Sequence, residues 1–284
     1  MIYLSQFTFP PQHQEEHFLG EIKRTCYDSF YPFRTISKNG LAGLDFETIT
    51  ILYGGNGSGK TTALNVMAET LGLERDTLYN RTNFFKDYTA MCRYTVESEI
   101  PKHSRIVTSD DVFDFMLNLR TMNEGIDSKR EELLEDYLKT KGSDFQMKSL
   151  EDYEQLKKVN SVRGSSQSSY VRKHLVKNVR EHSNGESAFL YFCNKIQDDG
   201  LYLLDEPENS LSPKKQLELK EFIEKAARFF GCQFIIATHS PFLLSAGGAK
   251  IYDMDAVPVD IKCWTELASV RTYYYFFHEH EEEF

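Results

Sequence analysis

The sequence predicts an α/β fold with a mostly parallel central sheet, an antiparallel β subdomain and a helical lobe. Three observations predict it. A glycine-rich run, Gly54-Gly55-Asn56-Gly57-Ser58-Gly59-Lys60-Thr61, lies between a β-branched stretch, Ile49 to Tyr53, and an apolar stretch with helical spacing, Thr62 to Ala68. Two further buried-strand patterns, Gly200 to Leu204 and Gln233 to Thr238, alternate with helical ones in the second half. Asn39-Gly40 is a hairpin signal in an aromatic-rich region ahead of the glycine run, and it predicts the antiparallel part.

The glycine run fits G-x-x-x-x-G-K-[ST], the phosphate-binding loop, and it sits between strand and helix as that loop requires. Its glycines let the backbone wrap a polyphosphate and aim N–H groups inward. The following helix adds a partial positive charge at its N-terminus. Lys60 is expected to reach the β- and γ-phosphates, and the Thr61 hydroxyl to ligate Mg²⁺. Gly55, Asn56, Gly57, Ser58, Gly59, Lys60, Thr61 and Thr62 are thus the expected phosphate-binding residues of a P-loop NTPase.

Composition bounds the alternatives. Of 284 residues, 40% are hydrophobic and 27% charged, enough for one large core or a core with a lobe. The formal net charge of -10 argues against nucleic-acid binding by the whole surface. The cysteines, Cys26, Cys92, Cys193, Cys232 and Cys263, form no C-x-x-C pair, which argues against structural zinc or a disulfide framework and suits a reducing cytoplasm. Met1 to Gly20 lacks the basic start and apolar run of a signal peptide, and no segment approaches the roughly 18 apolar residues of a membrane span. The expectation is a cytoplasmic chain with no membrane partner.

Along the chain, Tyr3 to Phe9 reads as a strand ended by Pro10-Pro11, and Gln12 to Glu16 as a loop. Tyr27, Tyr31 and Phe33 read as sheet core, with stacking on an adenine as the alternative. Tyr94 to Val96 and Arg105 to Thr108 read as strands, Val112 to Arg120 and Lys129 to Lys141 as two helices, and the Ser-rich run Ser161 to Ser169 as a loop. Gln155 to Arg180 has no acidic residue but carries Lys157, Lys158, Arg163, Arg172, Lys173, Lys177 and Arg180. This block is either a solvated helix face or a patch for nucleic-acid phosphates, DNA included. Ala188 to Ile196 and Lys214 to Phe230 read as helices, with Glu208 to Pro213 as a loop between them and Ile251 to Met254 as a last short strand. The acidic end, His278 to Phe284, reads as a frayed terminus, with metal binding by His278 and His280 as the alternative.

Ligands of open α/β sheets bind at the carboxyl ends of strands. Asp205 and Glu206 follow the strand ending at Leu204, and His239 follows the strand ending at Thr238. Asp205 is placed to hold Mg²⁺, Glu206 to orient or deprotonate an attacking water, and His239 to contact the γ-phosphate.

With these residues in view, the set resembles the ABC-type ATPases, in particular the SMC and recombination-repair branch, including its compact bacterial members. Gly54 to Thr61 matches Walker A, Leu201 to Glu206 matches Walker B, His239 matches the switch histidine, and Ser183-Asn184-Gly185-Glu186 resembles the S-G-G-Q signature. The resemblance covers about residues 40 to 255, weakly between 70 and 180, and departs from the signature at Asn184 and Glu186. It implies one domain over residues 1–284, with a helical lobe at about 112–198 inserted between Walker A and Walker B. It implies ATP and Mg²⁺ as cofactors, and Asp110 in place of the missing Q-loop glutamine as a further group at the metal. It also implies a homodimer on ATP binding, with Ser183, Gly185 and Glu186 of one copy meeting the nucleotide of the other.

The expected function is an ATP-hydrolysing switch that controls a partner or effector protein or acts on DNA, in repair or in phage defence. The alternatives are a P-loop kinase of a small molecule and the ATP-binding subunit of a transporter. A kinase has no need of the signature-like Ser183 to Glu186 or of the strand-end His239.

Overall fold

Strand sequences that are apolar on both faces build the centre of the molecule. The computed structural model describes residues 1–22, 26–142, 157, 159–162, 164–175 and 184–284. Its main sheet holds β3 (Ile49–Tyr53), β5 (Arg105–Thr108), β6 (Leu201–Asp205), β7 (Gln233–Thr238), β8 (Lys250–Asp253) and β9 (Asp260–Ile261). Their order is β5-β6-β7-β3-β8-β9, parallel throughout except for the antiparallel edge pair β8-β9. Every residue of β3, β6 and β7 is buried, as continuous apolar runs under helices must be. Each fully buried Leu or Ile contributes about 1.5–3 kcal/mol.

A second sheet is antiparallel, in the order β2-β1-β4, from β1 (Leu4–Thr8), β2 (Gly43–Asp45) and β4 (Arg93–Val96). Side chains of the main sheet tie the two sheets together: the Tyr252 hydroxyl of β8 accepts from Asp45 N–H and donates to the Asp45 carbonyl in β2, both at 3.0 Å, and Gln233 makes a second tie. Gln233, fully buried in β7, donates to the carbonyls of Leu4 (2.8 Å) and Glu47 (3.2 Å). It accepts from the backbone N–H groups of Tyr3 (2.8 Å) and Leu4 (2.9 Å). All four bonding positions of the amide are used, so its burial carries no unpaired polar group.

The helices are α1 (Gln12–Glu21), α2 (Lys60–Leu71), α3 (Phe85–Met91), α4 (Ser109–Lys141), α5 (Gln167–His174), α6 (Asn184–Lys195), α7 (Pro213–Phe229), α8 (Pro241–Leu244) and α9 (Ala268–Glu279). The chain divides into two compact units: Met1–Phe113 with Asn184–Phe284, and Asp114–Ser183. The second unit has its own small core of Tyr137, Val162 and Tyr170, with Leu133 against it. Tyr137 closes this core by donating to the Ser165 carbonyl at 2.9 Å.

Several sequence expectations need correction. Gln12 to Glu16 belongs to a helix: Pro11 stands extended at its N-cap, and buried Glu15 accepts from Arg34 N–H (2.6 Å) and Ser37 Oγ (2.9 Å). Asn39-Gly40 makes no hairpin. It ends a 3-10 turn, Ser37–Asn39, with Gly40 left-handed at φ 71°, and the antiparallel sheet comes from other residues. The two helices expected between 112 and 141 are one, α4. In the Ser-rich run, Ser166 caps α5 by accepting from Ser169 N–H, so the loop there is short. The acidic end is helical: α9 runs to Glu279, and a 3-10 turn covers Glu281–Glu283. His278 and His280 pair with Glu281 and Glu283, and no group that could hold a metal ion, three or more His, Cys, Asp or Glu, occurs among the described residues.

Candidate nucleotide site

The glycine run turns from β3 into α2 at the carboxyl edge of the main sheet. Gly59 caps α2 at φ 92°, a left-handed conformation that favours glycine. At Gly54 a Cβ would stand 2.7 Å from Ser58 Oγ, so the loop closes too tightly there for a side chain. The Lys60 ammonium is buried inside the loop and donates to the carbonyls of Gly54 (2.7 Å) and Gly55 (2.9 Å). A cavity of about 310 Å³ opens on the loop, lined by Thr35, Asn56, Gly57, Gly59, Lys60, Thr61, Thr62 and Glu206.

Parallel pairing of β3 with β7, and of β7 with β6, puts the Asp205–Glu206 step on the same edge. The Thr61 hydroxyl donates to Asp205 Oδ1 at 3.0 Å. Burial pushes the Asp205 carboxyl up to about 7, the Thr61 bond pulls it down, and neighbouring Glu206 raises it further. A desolvated carboxylate beside a hydroxyl is a hard-oxygen donor set, and a divalent cation would relieve its charge; the pair fits Mg²⁺.

Glu206 has a left-handed backbone, φ 47° and ψ 53°, an uncommon state for a residue with a side chain. Its N–H donates to the Ala237 carbonyl (2.9 Å), and its Oε2 accepts from Asn209 Nδ2 (3.0 Å). The turn therefore aims the carboxylate at the cavity and the following loop holds it.

His239 is exposed at the end of β7 and lies outside the lining of that cavity. Its placement depends on Glu208, a buried carboxylate in the turn after Glu206. Glu208 Oε1 accepts from Thr238 Oγ1 (2.6 Å), His239 N–H (2.9 Å) and Ser240 N–H (3.2 Å), and His239 Nδ1 stands 3.3 Å from the same oxygen. A second link runs through Gln216, which accepts from Ser240 Oγ (2.7 Å) and donates to the Leu211 carbonyl (2.9 Å).

Of the signature-like residues, Ser183 lies outside the described residues. Gly185 and Glu186 form the first turn of α6, where a Cβ on Gly185 would stand 3.6 Å from the Ser210 carbonyl. Neither lines the phosphate-loop cavity. Asp110 is exposed on the first turn of α4, just after Thr108, which pairs in register with Asp205. The buried acid there is its neighbour Asp111, which accepts from the backbone and hydroxyl of both Thr77 and Thr108. Of the basic block, Lys158, Arg163, Lys177 and Arg180 lie outside the described residues, while Arg172 and Lys173 are exposed on α5.

Some site residues escape sequence reasoning. Phe33 is core, but the Tyr31 phenol donates to Thr62 Oγ1 (3.1 Å) at the start of α2. Asn39 Nδ2 donates to the carbonyls of Ser58 (3.2 Å) and Met254 (3.1 Å), so the residue read as a hairpin tip braces the phosphate loop. Asp255 accepts from Gly55 N–H at 2.8 Å through Oδ2. The sequence singles out Tyr31, as sheet core or an adenine platform, and Asn39, as a hairpin residue, but in neither case for the contact it makes; Asp255 carries no local signal.

The parallel sheet, the phosphate loop at its carboxyl edge and the Thr61–Asp205 pair define a P-loop NTPase fold. The chain belongs to the family described as "AAA domain, putative AbiEii toxin, Type IV TA system", which matches residues 67–245. No curated protein matches it. Among solved structures, the Smc head domain of Pyrococcus furiosus, bound to the C-terminal domain of ScpA, is similar over 99% of this chain and 100% of its own, at 13% identity and a TM-score of 0.46. The SMC head domain of Thermotoga maritima is similar over 92% of this chain and 99% of its own, at 15% identity and a TM-score of 0.40. The dimeric ATP-binding cassette MJ0796 with ADP and Pi is similar over 80% of this chain and 90% of its own, at 12% identity and a TM-score of 0.39. No helix among the described residues is long and apolar enough to cross a membrane.

Proposed function

We propose that this chain is an ATP-hydrolysing switch in which two copies close around Mg²⁺–ATP, and that the cycle of closing and opening controls a partner protein. The observation that carries the reading is the division of the site. Thr61, Lys60 and Glu206 share one cavity, while Gly185 and Glu186 stand outside it. A second copy supplies the missing half: its Ser183, Gly185 and Glu186 would cover the γ-phosphate held by the first. Each chain has one copy of every motif, so two nucleotides close two equivalent sites.

The loop N–H groups and Lys60 bind the phosphates and hold them in line. Thr61 and Asp205, with Asp110 at the edge, would hold Mg²⁺, which when bound neutralises charge on the transferring phosphoryl group. Glu206, fixed by Asn209, accepts a proton from the attacking water. His239, positioned by Glu208, donates to the γ-phosphate oxygen as charge develops there. The family's description, which names a toxin–antitoxin system, favours a partner protein and a defence role over direct action on DNA.

Glu206→Gln tests the proposal. It keeps the shape and removes the base, so the variant should bind Mg²⁺–ATP, turn over at a small fraction of the wild-type rate, and accumulate as a dimer by light scattering. A variant that stays monomeric with saturating ATP would rule out the two-copy closure. Phosphate release with no phosphorylated product separates this activity from that of a kinase.

A further inference from the structure

A groove of about 680 Å³ runs beside the end of β7, and none of its lining residues also lines the phosphate-loop cavity. Pro213 of α7 and Phe242 of α8 form one side, Tyr274 and Phe277 of α9 the other, and Glu208 and His239 also line it. The α9 wall is unusual in its sequence. Tyr273 to Phe277 are five aromatic residues in a row, each 48–58% exposed. Successive helical residues turn by about 100°, so five in a row cover the whole circumference. A helix that is apolar all round belongs inside an assembly, and exposed apolar area on this scale marks an interaction surface.

The charge around the groove specifies what fits it. Phe284 packs back on Phe277, with ring centroids 6.1 Å apart, and this folds the acidic turn Glu281–Glu283 beside the end of the groove. Glu279 adds to it. Arg271, the basic residue of this wall, lies over the Tyr275 ring and donates to its hydroxyl. The α9 wall is therefore aromatic with an acidic rim at its C-terminal end, while the groove lining itself carries Arg271 and His239 beside Glu208. An anionic membrane would be repelled by that rim. A second copy docked α9 against α9 would bring two acidic turns into one symmetric interface.

We infer that this groove docks a basic amphipathic helix of a partner protein, apolar side chains in the groove and Lys or Arg against Glu279 and Glu281–Glu283. A concave site between helices takes a helix in this way. The inference rests on the proposed switch for its regulatory meaning. The segment that carries His239 also lines the groove, so docking and nucleotide state bias one another, and by linkage the effect is reciprocal.

The test uses the full chain and a fluorescein-labelled peptide of leucine and lysine spaced to form an amphipathic helix, followed by fluorescence anisotropy without nucleotide. Saturable binding is expected, weakened at least tenfold by Tyr274→Ala with Phe277→Ala, and at least tenfold by Glu281→Lys, Glu282→Lys and Glu283→Lys together. Both variants change exposed side chains, and circular dichroism checks their fold. A leucine–glutamate peptide of the same spacing should not bind. No saturable binding, equal binding of the glutamate peptide, or unchanged affinity in the aromatic variant would overturn the docking site. So would a nucleotide-free dimer that the aromatic variant abolishes, because the occupant would then be a second copy. A separate titration compares ATP-loaded Glu206→Gln with nucleotide-free protein. A peptide affinity that differs at least threefold supports coupling. Equal affinity would overturn control by ATP while the groove stands, and this separates the failure of the two readings.

Discussion

Glu208 Oε1 accepts the His239 backbone N–H at 2.9 Å, so one buried carboxylate ties the turn after Asp205–Glu206 to the end of the neighbouring strand. The same oxygen takes the Thr238 hydroxyl and the Ser240 N–H. Replacing Glu208 by Ala strands the Thr238 hydroxyl and the His239 N–H, while the Ser240 N–H keeps Thr238 Oγ1 at 3.0 Å; each group left buried and unpaired costs about 1–3 kcal/mol. Glu208→Ala should therefore melt several degrees lower and lose hydrolysis, while retaining nucleotide binding through the phosphate loop. Thermal unfolding and an ATPase assay on the same preparation check it. An unchanged melting temperature would show that the carboxylate holds nothing.

His239 itself makes a narrower prediction. His239→Ala removes the imidazole and keeps the backbone bond to Glu208. Turnover should fall about 10²-fold with little change in ATP affinity, because the contact matters as charge develops. Single-turnover kinetics beside a nucleotide titration separate the two effects. A matching loss of affinity would place the histidine in ground-state binding.

Asp205 predicts a pH dependence of stability. Its carboxyl is raised from 3.8 to about 7 in the folded chain, chiefly by burial. A carboxylate raised on folding costs nothing when both states are protonated, and costs progressively more as pH rises from about 4 to about 7. Without metal, Asp205→Asn should thus be more stable than wild type at neutral pH, with the gain shrinking toward pH 4. The same variant should lose stabilisation by Mg²⁺–ATP. Melting curves across that range check both signs.

Lys60 and Ser183 are predicted to fail in different ways. Lys60→Ala should lose nucleotide binding, since the ammonium sits inside its own loop. Ser183→Arg should keep binding but lose dimerisation and hydrolysis, since the proposal puts that residue across the interface. Mixing the two variants rescues one composite site and should restore a fraction of the activity. No rescue, with equal loss of affinity in both, would contradict the division.

The strands were legible because burial on both faces writes continuous apolar runs. The expected bounds of β3, β5 and β7 coincide with those observed. The phosphate loop and the Asp205–Glu206 step were legible because their chemistry is local. What sequence reading missed is held by distant partners. Helix α1 has no strong apolar stripe and is anchored by Glu15 reaching Arg34 and Ser37. Asp255 meets Gly55 across 200 positions, which no local pattern records. Asn39-Gly40 shows the reverse error: a strong local turn preference was satisfied by a different turn, because Asn39 finds Ser58 and Met254.

The Gln233 amide has a consequence for synthesis. The first strand receives its clamp from a side chain that is translated 230 positions after Tyr3. At bacterial and eukaryotic rates that interval is roughly 10–50 s. Its sheet partners come far sooner: β2 and β4 are complete by Val96, so the antiparallel sheet has its three strands before the clamp to β7 exists. The tie that Gln233 makes between the two sheets is therefore formed late, between parts whose strands are already synthesised.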